Sequence, residues 1–253
     1  MTIGLIEALL AREGIVAFVG AGGKKTTLYA LAAEHPGRIG ITTTTFTPRF
    51  PRRAGVCAII DDDPDLAPMV ADAARAHPRV AFARPSDKPG RVAGIDPGLV
   101  GACHAAGGFD ATYVKADGAR MRAIKAPGPE EPPIPPDATT VVFLVSAAAF
   151  GAPLDEHIAH RPERLAAVTG IAPGAPITAA AVGRLLASPA GALQHLPAAA
   201  RLVAVINAVD DDGRADAARA AARAALDATE RIERIVLTSH RRGAPWIEVV
   251  ERT

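Results

Sequence analysis

The sequence predicts an α/β fold with a doubly wound, mostly parallel sheet. Three observations carry this expectation. Apolar, β-branched runs alternate with helical stretches along the chain, the signature of strand–helix–strand units. Most of those runs are unbroken and do not alternate with polar residues, as in strands covered on both faces. The first run, Ile15-Val16-Ala17-Phe18-Val19, leads at once into Gly20-Ala21-Gly22-Gly23-Lys24-Lys25-Thr26-Thr27 and then a helical stretch. Glycines, a cation and hydroxyls between a strand and a helix N-terminus are the elements of a phosphate-binding loop.

Taken in order, the opening MTIGLIEALLAREG carries an acid early and no basic segment before a long apolar run, so it predicts a short amphipathic helix and not a signal peptide. Strands are expected at 15–19, 38–43, 56–60, 79–84, 111–116, 139–145, 202–207, 234–238 and 246–250. Helices are expected at 25–34, 64–77, 96–106, 162–169, 178–187 and 214–231, the last alanine-rich and entered through Asp212-Gly213. The segment 126–136, APGPEEPPIPP, fits neither a helix nor a central strand, because proline removes donors and fixes φ. It serves either as a rigid surface connection or as a shaped loop beside a ligand, following as it does the end of a strand. No internal repeat interrupts the pattern, and residues 1–253 are expected to form a single P-loop α/β domain.

Composition excludes several function classes. Hydrophobic residues make up 49% and charged residues 22% of the 253, enough for a packed core. A net charge of +1 gives no general electrostatic attraction to nucleic acid or to an anionic membrane. Aromatic content of 4% argues against a base-stacking surface. Cys57 and Cys103 are far apart and no CxxC occurs, as for two small hydrophobes in a reducing compartment. The uncharged run 138–154 is broken by Gly151 and Pro153 and falls short of the ~20 residues of a membrane span, so a cytoplasmic protein is expected. Only five of the 28 basic residues are lysine: Lys24, Lys25, Lys88, Lys115 and Lys125. Two lie in the glycine loop and two flank residues 116–120, which marks both places as sites suited to a compact point charge.

The chemistry is concentrated at strand ends. Gly20, Gly22 and Gly23 with Lys24 form a shortened G-x-x-G-K loop, without the full G-x-x-x-x-G-K-[ST] spacing. The amides of 22–27 would cradle phosphates and Lys24 would hold the outer ones. The hydroxyl that ordinarily follows this lysine and faces Mg²⁺ is replaced by Lys25, which cannot ligate a cation. Three arrangements are open: Thr26, backed by Thr27, takes the metal role; Lys25 adds charge to the phosphates; or Lys25 faces solvent. Thr42 to Thr45 end the second strand, where Thr44 could orient a water, a metal or a γ-phosphate, or merely favour the strand. Asp117 ends the 111–116 strand, as a Mg²⁺-coordinating acid beside a phosphate loop requires, or forms a simple Asp-Gly turn. Asn207 and Asp210 follow a further strand in the spacing of a guanine reader, but Ala208 replaces its lysine, and an ordinary turn also fits. Asp155-Glu156-His157 and His160 could share a helical face as metal ligands, without a convincing further ligand. No residue presents itself as a catalytic base.

These residues together resemble the selenium-dependent hydroxylase accessory proteins, the YqeC family. The resemblance lies in VGAGGKKTTLYALA (19–32), ITTTTFTP (41–48), VKADGARMRAIKAPGPEEPPIP (114–135), FGAPLDEHIAHRPERLAAVTG (150–170), the stretch 177–210 and VLTSHRRG (236–243). It implies a nucleotide-binding P-loop protein; the reading of the residues themselves adds ATP or GTP with Mg²⁺, the metal held by Thr26 or Thr27 and Asp117, directly or through water. The resemblance also implies a role in maturing molybdenum hydroxylases, some with labile selenium, with the hydroxylase or its cofactor-handling proteins as partner. Slow hydrolysis would drive a conformational change on that partner. This chain departs from the family at Lys25 for threonine, at Lys115 and Ala119 in an E-A-D-G-S segment, and at Ala208. Two other functions fit the loop: an ATP-dependent kinase or ligase whose 126–136 segment binds a small acceptor, and a nucleotide sensor without turnover.

Overall fold

The computed structural model describes residues 3–51, 55–239 and 246–252. Helix α1 (Leu5–Ala8) precedes β1 (Gly14–Gly20) and α2 (Lys24–Glu34). There follow β2 (Ile39–Thr43), β3 (Thr47–Pro48), β4 (Cys57–Ile60), α3 (Ala67–Ala76), β5 (Arg79–Ala83), β6 (Arg91–Val92), α4 (Leu99–Gly107) and β7 (Ala111–Lys115). The chain continues through β8 (Ile124–Lys125), β9 (Ala138–Ser146), β10 (Ala159–His160), α5 (Pro162–Thr169), α6 (Ala179–Ala187), β11 (Arg201–Asn207), α7 (Asp212–Ala228), β12 (Ile232–Ser239) and β13 (Trp246–Val250).

Nine of these strands form one sheet in the order β13-β12-β11-β9-β1-β7-β2-β5-β4. All neighbours are parallel except β12 and β13. The fold is therefore the doubly wound, mostly parallel α/β type that the unbroken apolar runs predict. Their lack of alternation has a direct cause. Ile15, Ala17 and Val19 of β1 pack into a core with α3 to α7, while Val16 and Phe18 pack into a second core with α1 and α2. Each strand therefore needs apolar residues on both faces.

Each expected strand is present, with ends within two residues of those read from the sequence. Helix α3 starts later than expected because Asp61, Asp63 and Asp65 each accept from the backbone amide two residues on, holding that stretch in turns. Helix α7 is capped by the Asp211 carboxylate, which accepts from the Arg214 amide, and ends three residues early where Thr229 turns extended. Four two-residue strands were not legible: β3 pairs with β6, and β8 with β10. Cys103 is buried and Cys57 half-buried, both as free thiols. Among the described residues, no helix is long and apolar enough to cross a membrane.

The topology positions the site. After β1 the chain places β2 on one side, with β7 between them; after β7 it crosses to β9 on the other side of β1. The crevice at the carboxyl ends of the strands flanking such a reversal is where open α/β sheets bind ligands. The carboxyl ends of β1, β2, β7, β9 and β11 bring Gly20–Thr27, Thr43–Thr45, Asp117, Ser146 and Asn207 to this one edge.

Candidate functional site

The loop from Gly20 to Gly23 is shaped by what it passes. Gly20, Gly22 and Gly23 have φ of 84°, 76° and 121°, a region that side chains with a Cβ disfavour. Space is also lacking: a Cβ on Gly22 would stand 2.5 Å from the Ser146 Cβ, and one on Gly23 would collide with the Asn207 amide. The loop is pinned to the neighbouring strands by Ala21 N–H donating to Leu144 O (2.7 Å) and Asn207 Nδ2 donating to Gly22 O (3.1 Å). Asn207 Oδ1 in turn accepts from Thr238 Oγ1 (3.0 Å), so this side chain braces the loop. Helix α2 opens with Gly23 at its N-cap and no side-chain cap. Among the described residues, the backbone amides of 22 to 26 have no acceptor. Such orphan donors at a helix N-terminus, with the helix dipole behind them, suit an anion.

Behind this loop runs a buried chain of alternating charges. Lys24 Nζ donates to Gly20 O and stands 2.7 Å from Asp117 Oδ1. Asp117 Oδ2 accepts from Gly20 N–H (2.8 Å) and lies 3.1 Å from Lys125 Nζ. Lys125 Nζ also donates to Gly118 O (2.9 Å) and to Glu131 Oε2 (2.8 Å). Glu131 finally accepts a two-pronged contact from Arg161 at 2.6 and 2.9 Å. Side-chain exposure is 7% for Lys24, 1% for Asp117 and 0% for Lys125. Burial holds the Lys24 ammonium below its ordinary pKa, with Asp117 opposing the shift. Burial alone would raise the Glu131 carboxyl, but the hydrogen bonds from Arg161 and Lys125 outweigh it and hold the group well below the usual carboxylate range.

This chain also reaches the proline-rich segment, expected either as a rigid surface connection or as a shaped loop beside a ligand. Ala126, Pro127 and Gly128 are buried, Gln194 Nε2 donates to the carbonyls of Gly128 and Glu131, and Thr44 Oγ1 donates to Pro133 O (2.8 Å). The segment is packed into the fold and tied to Lys24 of the glycine loop through Glu131, Lys125 and Asp117. Thr44 serves here as one of its ties.

Two cavities flank the start of α2. One, of about 280 Å³, is lined by Gly22, Gly23 and Thr26 and by six cations, Lys24, Lys25, Arg91, Lys115, Arg120 and Arg122, with no acid. The other, of about 450 Å³, is lined by Thr26, Ser146, Asn207, Ala208, Asp210 and Arg214. Thr26 is exposed and belongs to both. Lys25 is exposed on the first turn and forms part of the cationic wall, whereas Thr27 is buried with its hydroxyl unpartnered. Asp210 accepts from Ser239 Oγ (2.8 Å) and lies 3.6 Å from Arg214. Lys115 Nζ donates to Phe46 O (3.3 Å), and burial, then the nearby Lys24, pushes its pKa down to about 8. Lys88 stands 3.9 Å above the Phe46 ring.

The structure brings Gly20, Gly22, Gly23, Lys24, Lys25, Thr26, Asp117, Asn207 and Asp210 to one crevice. It does not make a metal site of Asp155 to His160: that stretch is a turn, with Asp155 Oδ1 accepting from the amides of His157 and Ile158, followed by β10. Among the described residues, no group of three or more His, Cys, Asp or Glu is placed to hold a metal ion. Sequence reasoning missed Glu131, Arg161, Arg120 and Arg122. Lys125 stood out only as a rare lysine.

A family model described as YqeC protein matches residues 16–163. The chain is also 30% identical over 200 residues to a protein of Escherichia coli (strain K12) described as uncharacterized protein YqeC, a match covering 78% of this chain and 76% of that one. The chain belongs to the YqeC family. The region matching the YqeC model spans the glycine loop and every member of the buried charge chain, from Lys24 to Arg161, while Asn207 and Asp210 lie beyond it.

Proposed function

We propose that this YqeC protein binds a nucleoside triphosphate, ATP or GTP, across the N-terminus of α2. The observation that carries the reading is the run of amides from 22 to 26 without acceptors, above a cavity lined by six cations and no acid. Phosphates take the amides, and Lys24 leaves Asp117 for the outer phosphates. The cavity with Asn207, Asp210 and Arg214 receives the base, Asn207 fixing the loop more than reading the base. Because Asp117 meets three donors, it fits a metal ligand only after Lys24 has moved; Oδ1 would then be free, with Thr26 at the cavity mouth as the second ligand. Mg²⁺ held there would neutralise charge on the phosphates. The family resemblance supports placing this binding in the service of molybdenum hydroxylase maturation, as an accessory step in the cytoplasm.

Titration calorimetry with ATP and GTP tests the reading. Lys24→Ala should weaken binding at least tenfold, since a charge-assisted phosphate contact contributes about 1.5–3 kcal/mol. Equal affinity in the parent and the variant would overturn the role of Lys24, and no affinity for either nucleotide would overturn the reading itself.

A further inference from the structure

A third cavity, of about 590 Å³, opens beside the cationic one. The two share Phe46, Arg120 and Arg122, whereas this cavity shares no residue with the one at Asn207 and Asp210. The three therefore stand in a row along the carboxyl edge, with the phosphate loop in the middle. A nucleotide with its base near Asn207 directs its phosphate end toward the third cavity.

The chemistry of that cavity is readable from its wall. Arg120 is exposed and Arg122 half-buried, and among the described residues neither guanidinium has an acid or hydrogen-bond partner. Glu131 lies on the wall too, but its charge is taken up by Lys125 and Arg161. Glu156 and Glu163 are exposed, at the rim. His160 reaches this cavity and neither of the others. Burial, with Arg161, Lys125 and Arg120 around it, lowers its pKa and keeps it a neutral hydrogen-bonding group. The segment presenting the two arginines is unusual in its backbone: Arg120 and Met121 both adopt positive φ, 46° and 64°. Side chains with a Cβ avoid this region, and consecutive examples cluster where geometry serves a ligand. Guanidinium forks without a partner among the described residues suit the paired oxygens of a carboxylate or a phosphate.

We propose that this cavity is a second small-molecule site, taking a ligand with a carboxylate or phosphate group held by Arg120, Arg122 and His160 while the nucleotide occupies the phosphate loop. His160 belongs to this cavity alone, while Arg120 and Arg122 also line the cationic cavity, so the simultaneous occupancy rests on the nucleotide reading. Its occupant meets the phosphate end of the nucleotide and not the base.

The test titrates inorganic pyrophosphate, and separately succinate, into the full chain saturated with a non-hydrolysable ATP analogue. One further equivalent of one anion should bind, with Kd between about 1 μM and 1 mM. Which anion binds tells phosphate from carboxylate. His160→Ala should weaken that equivalent about tenfold with analogue affinity unchanged, and Arg120→Glu with Arg122→Glu, titrated at an analogue concentration that still saturates the variant, should abolish it. An anion that only displaces the analogue belongs to the phosphate loop and overturns the proposal. So does a second equivalent indifferent to these substitutions, or no binding of either anion at about 10 mM. Should the analogue itself fail to bind, the nucleotide reading falls separately. The anions are then titrated into Lys24→Ala, where binding sensitive to His160→Ala upholds the second site and its absence overturns it.

Discussion

Lys24 Nζ stands 2.7 Å from Asp117 Oδ1, and both side chains are almost wholly buried. The glycine-loop cation is thus already neutralised within the protein, and under the proposed function a phosphate would compete with Asp117 for it. A buried pair of this kind is expensive to break from one side, because the remaining charge has neither water nor partner.

Asp117→Asn should therefore separate two effects. Unfolding in urea should show a loss of about 3–5 kcal/mol, since Lys24 and Lys125 are left side by side without their carboxylate. Nucleotide affinity in EDTA should hold or rise, because Lys24 no longer has to leave an anion. In Mg²⁺ it should fall, because the metal loses its acidic ligand. Equal losses of affinity in both buffers would make Asp117 a structural anchor alone.

Lys125→Met tests the next step of the chain. It leaves Asp117 and Glu131 without the cation that bridges them at 3.1 and 2.8 Å. Stability should again drop by about 3–5 kcal/mol in urea. Adding Glu131→Gln should cost less than the sum of the two single losses, because the Lys125–Glu131 contact can be lost only once, even though Arg161 then loses its carboxylate. Additive losses in the double variant would show that the two residues act independently.

How much of this was legible beforehand follows from the range of each signal. The strands were readable because burial on two faces writes short, unbroken, β-branched apolar runs in β1, β9 and β11, whereas the apolar helical stretches are rich in alanine. The glycine loop was readable because Gly20, Gly22 and Gly23 answer a local need, positive φ and close approach to Ser146 and Asn207. The charge chain was not, because Lys24, Asp117, Lys125, Glu131 and Arg161 meet only through sheet order and the return of the chain at β10. Arg161 is 30 residues from the carboxylate it holds. Charged residues between prolines read as a solvated loop, and only the fold shows Lys125 buried. Lys25 was ambiguous for another reason: an N1 or N2 side chain of a helix points inward or outward according to what packs beside it. Here Lys24 takes the interior and leaves Lys25 exposed.

Lys115 supplies a pH dependence with opposite signs for stability and for binding. Its amine ordinarily titrates near ~10.4. In the folded chain, burial and the nearby Lys24 bring it down to about 8, with Lys25 and Lys125 adding to the shift and Asp117 opposing it. Between pH 8 and about 10 the unfolded chain therefore holds a proton that the folded chain has released, and stability from this group rises with pH across that window. A polyanion in the cationic cavity favours the protonated amine, so binding takes up a proton near pH 8. Nucleotide affinity should fall from pH 7 to pH 9, by about tenfold if the contact is worth a charge-assisted hydrogen bond. Lys115→Arg, charged throughout, should keep the affinity high and flatten the profile; Lys115→Met should flatten it at a low level. Calorimetry of the parent in two buffers of different ionisation enthalpy should show uptake of about half a proton at pH 8. Lys24 lies below its ordinary value as well, so a slope that survives in Lys115→Met would assign the titration to Lys24 and remove Lys115 from the phosphate contacts.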